Sequence, residues 1–149
     1  MLERSRRSIF IVAGELDSSF FCGQIINKIK QKLDDISSYH INIIFKKDDL
    51  KDKTIKQFKK DNPLLVKLLL NPDYSNRVRI YWASKRPRYH FIVADTDTLL
   101  EEKDHPANES REVYIRYNDL KLSKEYIQHF NNMLKESDII HELTSKDFE

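Results

Sequence analysis

The sequence predicts an α/β fold with a mixed central sheet flanked by helices. Three observations predict this class. The chain begins with an apolar run, an amphipathic stretch of helical period and a second apolar run, which is typical of a β-α-β unit. Several short apolar or alternating stretches follow in the middle of the chain, and each is typical of a strand. A last amphipathic stretch predicts a closing helix, and 149 residues suit one domain.

The first part of the chain predicts a parallel pair of strands joined by a helix. Residues 8–13 form the first apolar run and residues 40–45 the second. Asp17 or Ser18 is expected to cap the intervening helix, because its side-chain oxygen can accept from free N–H groups of the first turn. The helix then presents one apolar stripe formed by Phe21, Ile25, Ile26, Ile29, Leu33 and Ile36. The connection is expected to be a right-handed crossover.

The second part predicts two helical segments, several strands and a closing helix. Residues 46–60 are expected to form a loop and a helix. Pro63 is expected to interrupt that helix, and residues 64–70 are expected to continue it. Residues 103–110 are expected to form a loop. The closing helix covers residues 124–134 and turns Ile127, Phe130 and Leu134 inward. The predicted strands are residues 77–82, 89–94, 98–102 and 112–117.

Three segments are expected along the chain. Residues 1–7 are a charged N-terminal extension, residues 8–136 are the α/β domain, and residues 137–149 are a C-terminal tail. The tail is polar apart from Ile139, Ile140, Leu143 and Phe148. We expect these apolar residues to contact a neighbouring element or a partner domain, which suits a chain from a larger assembly or a longer protein.

Composition excludes several classes of function. The longest apolar runs are too short to cross a bilayer, so no membrane association is expected. The one cysteine, Cys22, allows neither an internal disulfide nor a cysteine-rich zinc site, and we expect a cytoplasmic protein. The two glycines, Gly14 and Gly23, cannot build a P-loop or a dinucleotide fingerprint, so no cofactor is expected. With a net charge of +2, nucleic-acid binding would require a local basic patch.

A basic patch occurs directly before a histidine that opens a strand. His90 begins the apolar run that closes on aspartates, and Lys85, Arg86 and Arg88 precede it. Arg79 lies on the polar face of the preceding strand. No carboxylate interrupts this basic set, whereas charges of both signs alternate elsewhere in the chain. Such a set could contact phosphates and give salt-sensitive binding, although a solvated hairpin would look the same in sequence.

The individual residues of this region allow more than one interpretation. His90 could be a strand histidine bonded to a neighbour, a contact to phosphate, or a nucleophile. Asp95 and Asp97 carry metal-ligand groups, as do Asp104 and His105 further along. Their spacing matches no defined metal site, so we expect structural turns and no bound metal.

The element order and the His90 segment together resemble one half of the phospholipase D-like superfamily. Each half of such proteins carries a histidine, a lysine two residues later and an aspartate seven residues after the histidine. His90 fits the histidine and Asp97 has the spacing of the aspartate, but Ile92 stands in place of the lysine. The resemblance covers residues 8–134. It implies a phospholipase D-like sandwich and a histidine that attacks phosphorus, while a second histidine protonates the leaving oxygen.

The missing lysine favours a domain that has the phospholipase D-like fold but no catalytic activity. The predicted function is a catalytically degenerate phospholipase D-like binding or interaction module for nucleic acid, a nucleotide or another phosphate-bearing ligand. The expected binding residues are Arg79, Lys85, Arg86, Arg88 and His90. One alternative is a metal-independent homodimeric nuclease or phosphodiesterase that uses His90 and Asp97, with Arg88 or Lys85 in place of the lysine. A structural subunit that contacts another protein is a further alternative.

Overall fold

A computed structural model of the chain describes residues 1–13, 23–46, 55–84, 87, 90–102, 112–136 and 140–149. Within them, one mixed sheet of seven strands is formed, in the order β6-β5-β4-β1-β2-β3-β7. The strands are β1 (Ser8–Ala13), β2 (His40–Lys46), β3 (Val78–Ala83), β4 (His90–Ala94), β5 (Thr98–Glu102), β6 (Val113–Arg116) and β7 (Ile140–Glu142).

Four α-helices accompany the described part of the sheet, together with short 3₁₀ turns at Pro72–Tyr74 and Ser145–Phe148. The predicted interruption at Pro63 is observed, because this proline is the first residue of the second of two consecutive helices. The helices are α1 (Gly23–Asp35), α2 (Ile55–Asp61), α3 (Pro63–Leu69) and α4 (Leu120–Leu134). The expected cap at Asp17 or Ser18 lies outside the described residues, as does the loop 103–110.

The strands at the centre of the sheet are parallel, and those at both sides are antiparallel. β1 pairs with β2, and β2 with β3, in parallel, which confirms the predicted β-α-β unit. β4 runs antiparallel to β1, and β5 and β6 continue as an antiparallel meander. β7 lies antiparallel to β3 at the opposite side. The mixed α/β class predicted from the sequence is therefore observed.

Each face of the sheet buries its own apolar cluster. On the α1 face, Ile11, Ile43 and Ile80 lie in one cluster with residues of α1, α2 and α3. On the opposite α4 face, Phe91 and Val93 pack with Phe130 of α4. Because strand side chains alternate between faces, the apolar runs of the central strands are buried on both sides.

The ends of the chain take part in the fold. Ser5, within the expected extension, is buried and its hydroxyl lies 2.6 Å from the hydroxyl of Tyr39. Residues 140–149, within the expected tail, supply β7, and Leu143 is 2% exposed. The closing helix begins four residues earlier than predicted, since Asp119 caps it by accepting from the Leu122 N–H at 3.0 Å.

Among the described residues, no helix combines the length and the apolar character that a membrane span requires.

Candidate functional site

Strands β1, β2 and β3 all end at one edge of the sheet, which we call the carboxyl edge. The register pairs Ala13 with Phe45 and Lys46 with Ala83. β4 runs the other way and therefore begins at this edge, with His90. Open α/β sheets bind ligands in the crevice outside the carboxyl ends of their parallel strands. The predicted histidine is thus the strand residue closest to that position on β4.

His90 lies opposite a carboxylate of the neighbouring strand. It pairs in register with Glu102, the last residue of β5, and both side chains are half-buried. The predicted face is confirmed, because Ile92 and Ala94 belong to the α1-face cluster while Phe91 belongs to the other. An imidazole beside a carboxylate at the mouth of a sheet can bind an anion, or can be oriented as a base or nucleophile.

Ile92 occupies the position two residues after the histidine and packs as an apolar residue. It pairs with Ile11 on β1 and with Leu100 on β5, and it contacts the α1-face cluster. A lysine at this position would bring its ammonium group against apolar neighbours. The side chain next to His90 on its own face therefore offers packing and no charge.

Arg79 does not share a site with His90. Arg79 follows Val78 and precedes Ile80, both on the α1 face, so it points to the α4 face. β3 also lies three positions from β4 in the sheet, which is roughly 14 Å. The Nε of Arg79 lies 3.9 Å from Glu142 on β7. Hydrogen bonding to Tyr81 and the charge of Glu142 raise the pKa of Arg79.

The other predicted cations, Lys85, Arg86 and Arg88, lie outside the described residues. In sequence they belong to the connection from Ala83 to His90, and both of these described ends lie at the carboxyl edge. Pro87, within the same connection, is buried.

Asp95 holds the start of β1 at the other side of the sheet, which we call the amino edge. Its carboxylate accepts from the backbone N–H groups of Arg6 at 3.0 Å, Arg7 at 2.7 Å and Ser8 at 3.1 Å. Asp95 itself has φ 58°, a left-handed conformation that aspartate tolerates better than most residues. This aspartate therefore has a structural function, in agreement with the turn expected from its sequence context.

Asp97 is close to Asp95 and far from His90. Its carboxylate accepts from the Thr98 hydroxyl at 3.1 Å, and its carbonyl accepts from the Asp119 N–H at 2.9 Å. Five residue steps along β4 lead from His90 to Asp95 at the start of the turn, or about 17 Å. The two residues that carry the family spacing thus lie at opposite edges of the sheet.

The N-terminal arginines, within the expected charged extension, form a second basic patch. Arg4, Arg6 and Arg7 are exposed at the amino edge, and the guanidinium of Arg4 lies 5.7 Å from the ring centroid of Tyr117. Nearby, Lys32 donates to the Ser5 carbonyl at 2.7 Å. Burial and the charge of Arg6 lower the pKa of Lys32.

The exposure of the edge strand β6 could not be recognised from the sequence. The described residues include seven large apolar side chains that are exposed, and five of them lie in β6, in the turn after it and at the first residue of α4. Alternation predicted the strand, but it did not reveal that both faces carry large side chains and stay open to solvent. The five are Val113, Tyr114, Ile115, Tyr117 and Leu120.

Within the described residues, no three histidine, cysteine, aspartate or glutamate side chains are grouped as a metal site requires. Cys22, Asp104 and His105 lie outside that part of the chain.

Comparison with known proteins relates the chain by fold alone. The sequence matches no model of a known protein family and no curated protein. A solved structure with a similar fold is TrmBL2, an archaeal chromatin protein that shows a novel mode of DNA binding. The TM-score is 0.60 with 13% sequence identity, and the match covers 91% of this chain. It covers 46% of that chain, so the present chain spans less than half of its neighbour's length.

Proposed function

We propose that this chain is a non-catalytic binding module of phospholipase D-like type that holds a phosphate-bearing ligand, with nucleic acid as the leading candidate. The ligand binds at the carboxyl edge beside His90. The observation that carries the proposal is the position of His90 at this edge, at the end of the connection that contains Lys85, Arg86 and Arg88. Phosphate groups attract such cations, and the side chain of His90 is partly exposed at the same edge.

Because the net charge is only +2, the binding of a phosphate-bearing ligand depends on where the cationic side chains lie. Negative residues compensate most of the positive ones, so binding must depend on a patch rather than on the overall field. The described neighbour of His90 across the strands is Glu102, which limits the approach of phosphate from that side. In sequence, the basic residues lie in the connection between β3 and β4.

Ile92 supports the non-catalytic part of the proposal. In the family that the chain resembles, a lysine at this position balances the charge of the phosphoryl oxygens. Loss of one such cationic donor costs about 100-fold or more in rate, by comparison with other preorganised donors. Ile92 instead contacts the α1-face cluster. Binding without turnover is the activity that suits this arrangement.

The test is a binding titration with fluorescein-labelled 30-nucleotide single-stranded DNA, the matching duplex, and RNA, at several salt concentrations. We expect the logarithm of the affinity to fall with the logarithm of the salt concentration, by about 0.9 per neutralised phosphate of a duplex. The triple variant K85E/R86E/R88E should weaken binding at least about tenfold and flatten this slope.

A matched control changes the same charge at the other edge of the sheet. The variant R4E/R6E/R7E replaces three exposed arginines of the amino edge. It should retain more affinity than the carboxyl-edge variant. Greater loss in the control would move the site to the amino edge, and a wild type that binds none of the three probes at low salt would refute nucleic acid as the ligand.

A second candidate function is a metal-independent phosphodiesterase, and the pairing of His90 with Glu102 favours it. A carboxylate beside a histidine can orient the imidazole for attack on phosphorus. The test is hydrolysis of DNA, RNA and an activated diester in the presence of a chelator. Turnover that disappears in H90A would establish this activity. Equal rates for wild type and H90A would support the binding module.

A further inference from the structure

Strand β6 carries three of the seven large apolar side chains that are exposed among the described residues. β6 pairs with β5 on one side, and no described strand pairs with it on the other. All four of its residues are exposed, including Val113 at 49% and Ile115 at 48%. An edge strand also presents N–H and C=O groups that can extend the sheet, and proteins normally protect such an edge with charge, proline or a covering element.

The sequence of this edge is complementary to itself. Glu112, Val113, Tyr114, Ile115 and Arg116 carry a negative residue at one end and a positive residue at the other, with an aromatic residue at the centre. When two copies of such a strand run antiparallel around the central residue, each acid faces a base of the other copy. Cross-strand pairs of opposite charge and of apolar side chains stabilise an antiparallel ladder.

We propose that β6 pairs with β6 of a second copy of this chain around a two-fold axis at Tyr114. Glu112 then faces Arg116 of the second copy, Val113 faces Ile115, and the two Tyr114 rings lie side by side. The two seven-stranded sheets become one continuous sheet. An interface of this kind is isologous, since the same residues contribute from both copies.

The charges select this register over its neighbours. A two-fold axis normal to the sheet keeps each face continuous across the interface, so the register can slip only in steps of two residues. Centred on Ile115, Arg116 would face Tyr114. Centred on Val113, Glu112 would face Tyr114. Only the register centred on Tyr114 gives both charged residues an opposite partner.

Existing contacts within the chain orient the charged residues without burying them. The Tyr114 hydroxyl donates to Glu112 at 3.0 Å, and Arg116 lies 3.5 Å from Glu101 on β5. The Arg116 side chain is 48% exposed, so its remaining N–H groups can reach a second carboxylate. Each Arg116 would therefore bridge Glu101 of its own chain and Glu112 of the other copy.

The test uses sedimentation velocity of the full chain over a wide concentration range, with the single variants E112R and R116E. In either variant alone, like charges face each other twice per dimer, and we expect the dissociation constant to rise at least about tenfold. An equimolar mixture of the two variants places only opposite charges across the interface. It should form a heterodimer with an affinity near that of the wild type, and the double variant E112R/R116E should again form a homodimer.

Thermal melting of each variant shows whether the fold is intact, and E125R, on the exposed surface of α4, is a matched charge control. It should leave the dissociation constant unchanged. A wild type that stays monomeric at the highest concentration would overturn the proposal. A dimer whose dissociation constant is unchanged in both single variants would overturn it as well, because association would then use another surface. The nucleic-acid experiment tests a different edge, so the two proposals can fail separately.

Discussion

Asp95 shows how a single side chain fixes two distant parts of this chain. Its carboxylate accepts three backbone N–H groups at the entrance to β1, from residues up to 89 positions away in sequence. Hydrogen bonds from backbone N–H groups to a carboxylate are among the stronger ones in proteins. The sequence revealed an aspartate at the end of a strand, but the groups that it would bind could not be read from local spacing.

We predict that Asp95→Ala lowers the free energy of unfolding by about 1–3 kcal/mol, because three backbone N–H groups, one of them part-buried, lose a charged acceptor. Asp95→Asn should cost about half as much, since asparagine keeps one acceptor oxygen and tolerates the left-handed backbone. Urea unfolding followed by circular dichroism measures both. Asp97→Asn, in the same turn, is the matched control and should change stability by less than about 0.5 kcal/mol. Equal losses at Asp95 and Asp97 would contradict this assignment.

At the scale of elements, the C-terminal residues show how local capping turns an expected tail into part of the sheet. Thr144 and Asp147 form a capping box at the start of the last 3₁₀ turn, and the Asp147 carboxylate accepts from the Thr144 N–H at 2.7 Å. His141 of β7 lies 2.9 Å from the same carboxylate. Between β7 and this turn, Leu143 is 2% exposed in the α1-face cluster, and its N–H donates to the Ile80 carbonyl of β3 at 2.8 Å.

This capping arrangement predicts a dependence on pH. Burial raises the pKa of Asp147, but the Thr144 N–H and His141 outweigh it and lower the pKa below its ordinary 3.8. Because the folded state prefers the ionised form, the resulting stability is present above pH 3.8 and is lost as the pH falls through the lowered pKa. D147N should therefore have a free energy of unfolding about 1 kcal/mol lower than that of the wild type at pH 7, as expected for loss of a cap. Its melting temperature should be lower accordingly.

The measurement is a series of thermal melts of wild type and D147N from pH 7 downward. The deficit of the variant should persist to about pH 4 and shrink below that value. A deficit that is unchanged at the lowest pH would show that the carboxylate charge contributes nothing to the cap.

At the scale of the whole molecule, two apolar clusters share one sheet. Trp82 lies on the α1 face with Phe45 and Phe58, at ring-centroid distances of 5.6 and 6.2 Å. Phe130 of α4 lies on the other face, 5.2 Å from Phe10 and 1% exposed. Since every central strand contributes to both clusters, loss of one cluster removes support from the other, and the two should unfold together.

We predict that Phe130→Ala lowers the free energy of unfolding by about 3–5 kcal/mol, the usual cost of truncating a buried aromatic residue. The fluorescence of Trp82, the one tryptophan of the chain, reports on the opposite face. Its denaturation midpoint should fall together with that of the circular dichroism signal. Lys124→Ala, on the exposed side of α4, is the control and should move neither midpoint appreciably. A tryptophan midpoint that stays in place while the other falls would show that the faces unfold independently.

The dimer proposed through β6 also determines how far apart the two His90 side chains lie. Two strand positions separate β4 from β6, so pairing through β6 leaves five spacings between the β4 strands of the two copies, or about 24 Å. Two His90 side chains at that separation cannot act on one phosphodiester. The homodimeric phosphodiesterase would therefore need a different interface, and the oligomer experiment discriminates between these arrangements.

Four features could be predicted from the residues alone: the α/β class, the parallel β1–β2 pair, the alternation that puts His90 and Ile92 on one face, and the helix break at Pro63. These features follow from the periods of apolar residues and from backbone restrictions, which are local properties of the chain. Three features became visible only in the folded chain: Arg79 and His90 lie on opposite faces, Asp97 lies at the far edge from His90, and no described strand pairs with the outer side of β6. Each of these depends on the order of strands in the sheet, which is set by long-range pairing and burial and not by the residues of any one strand.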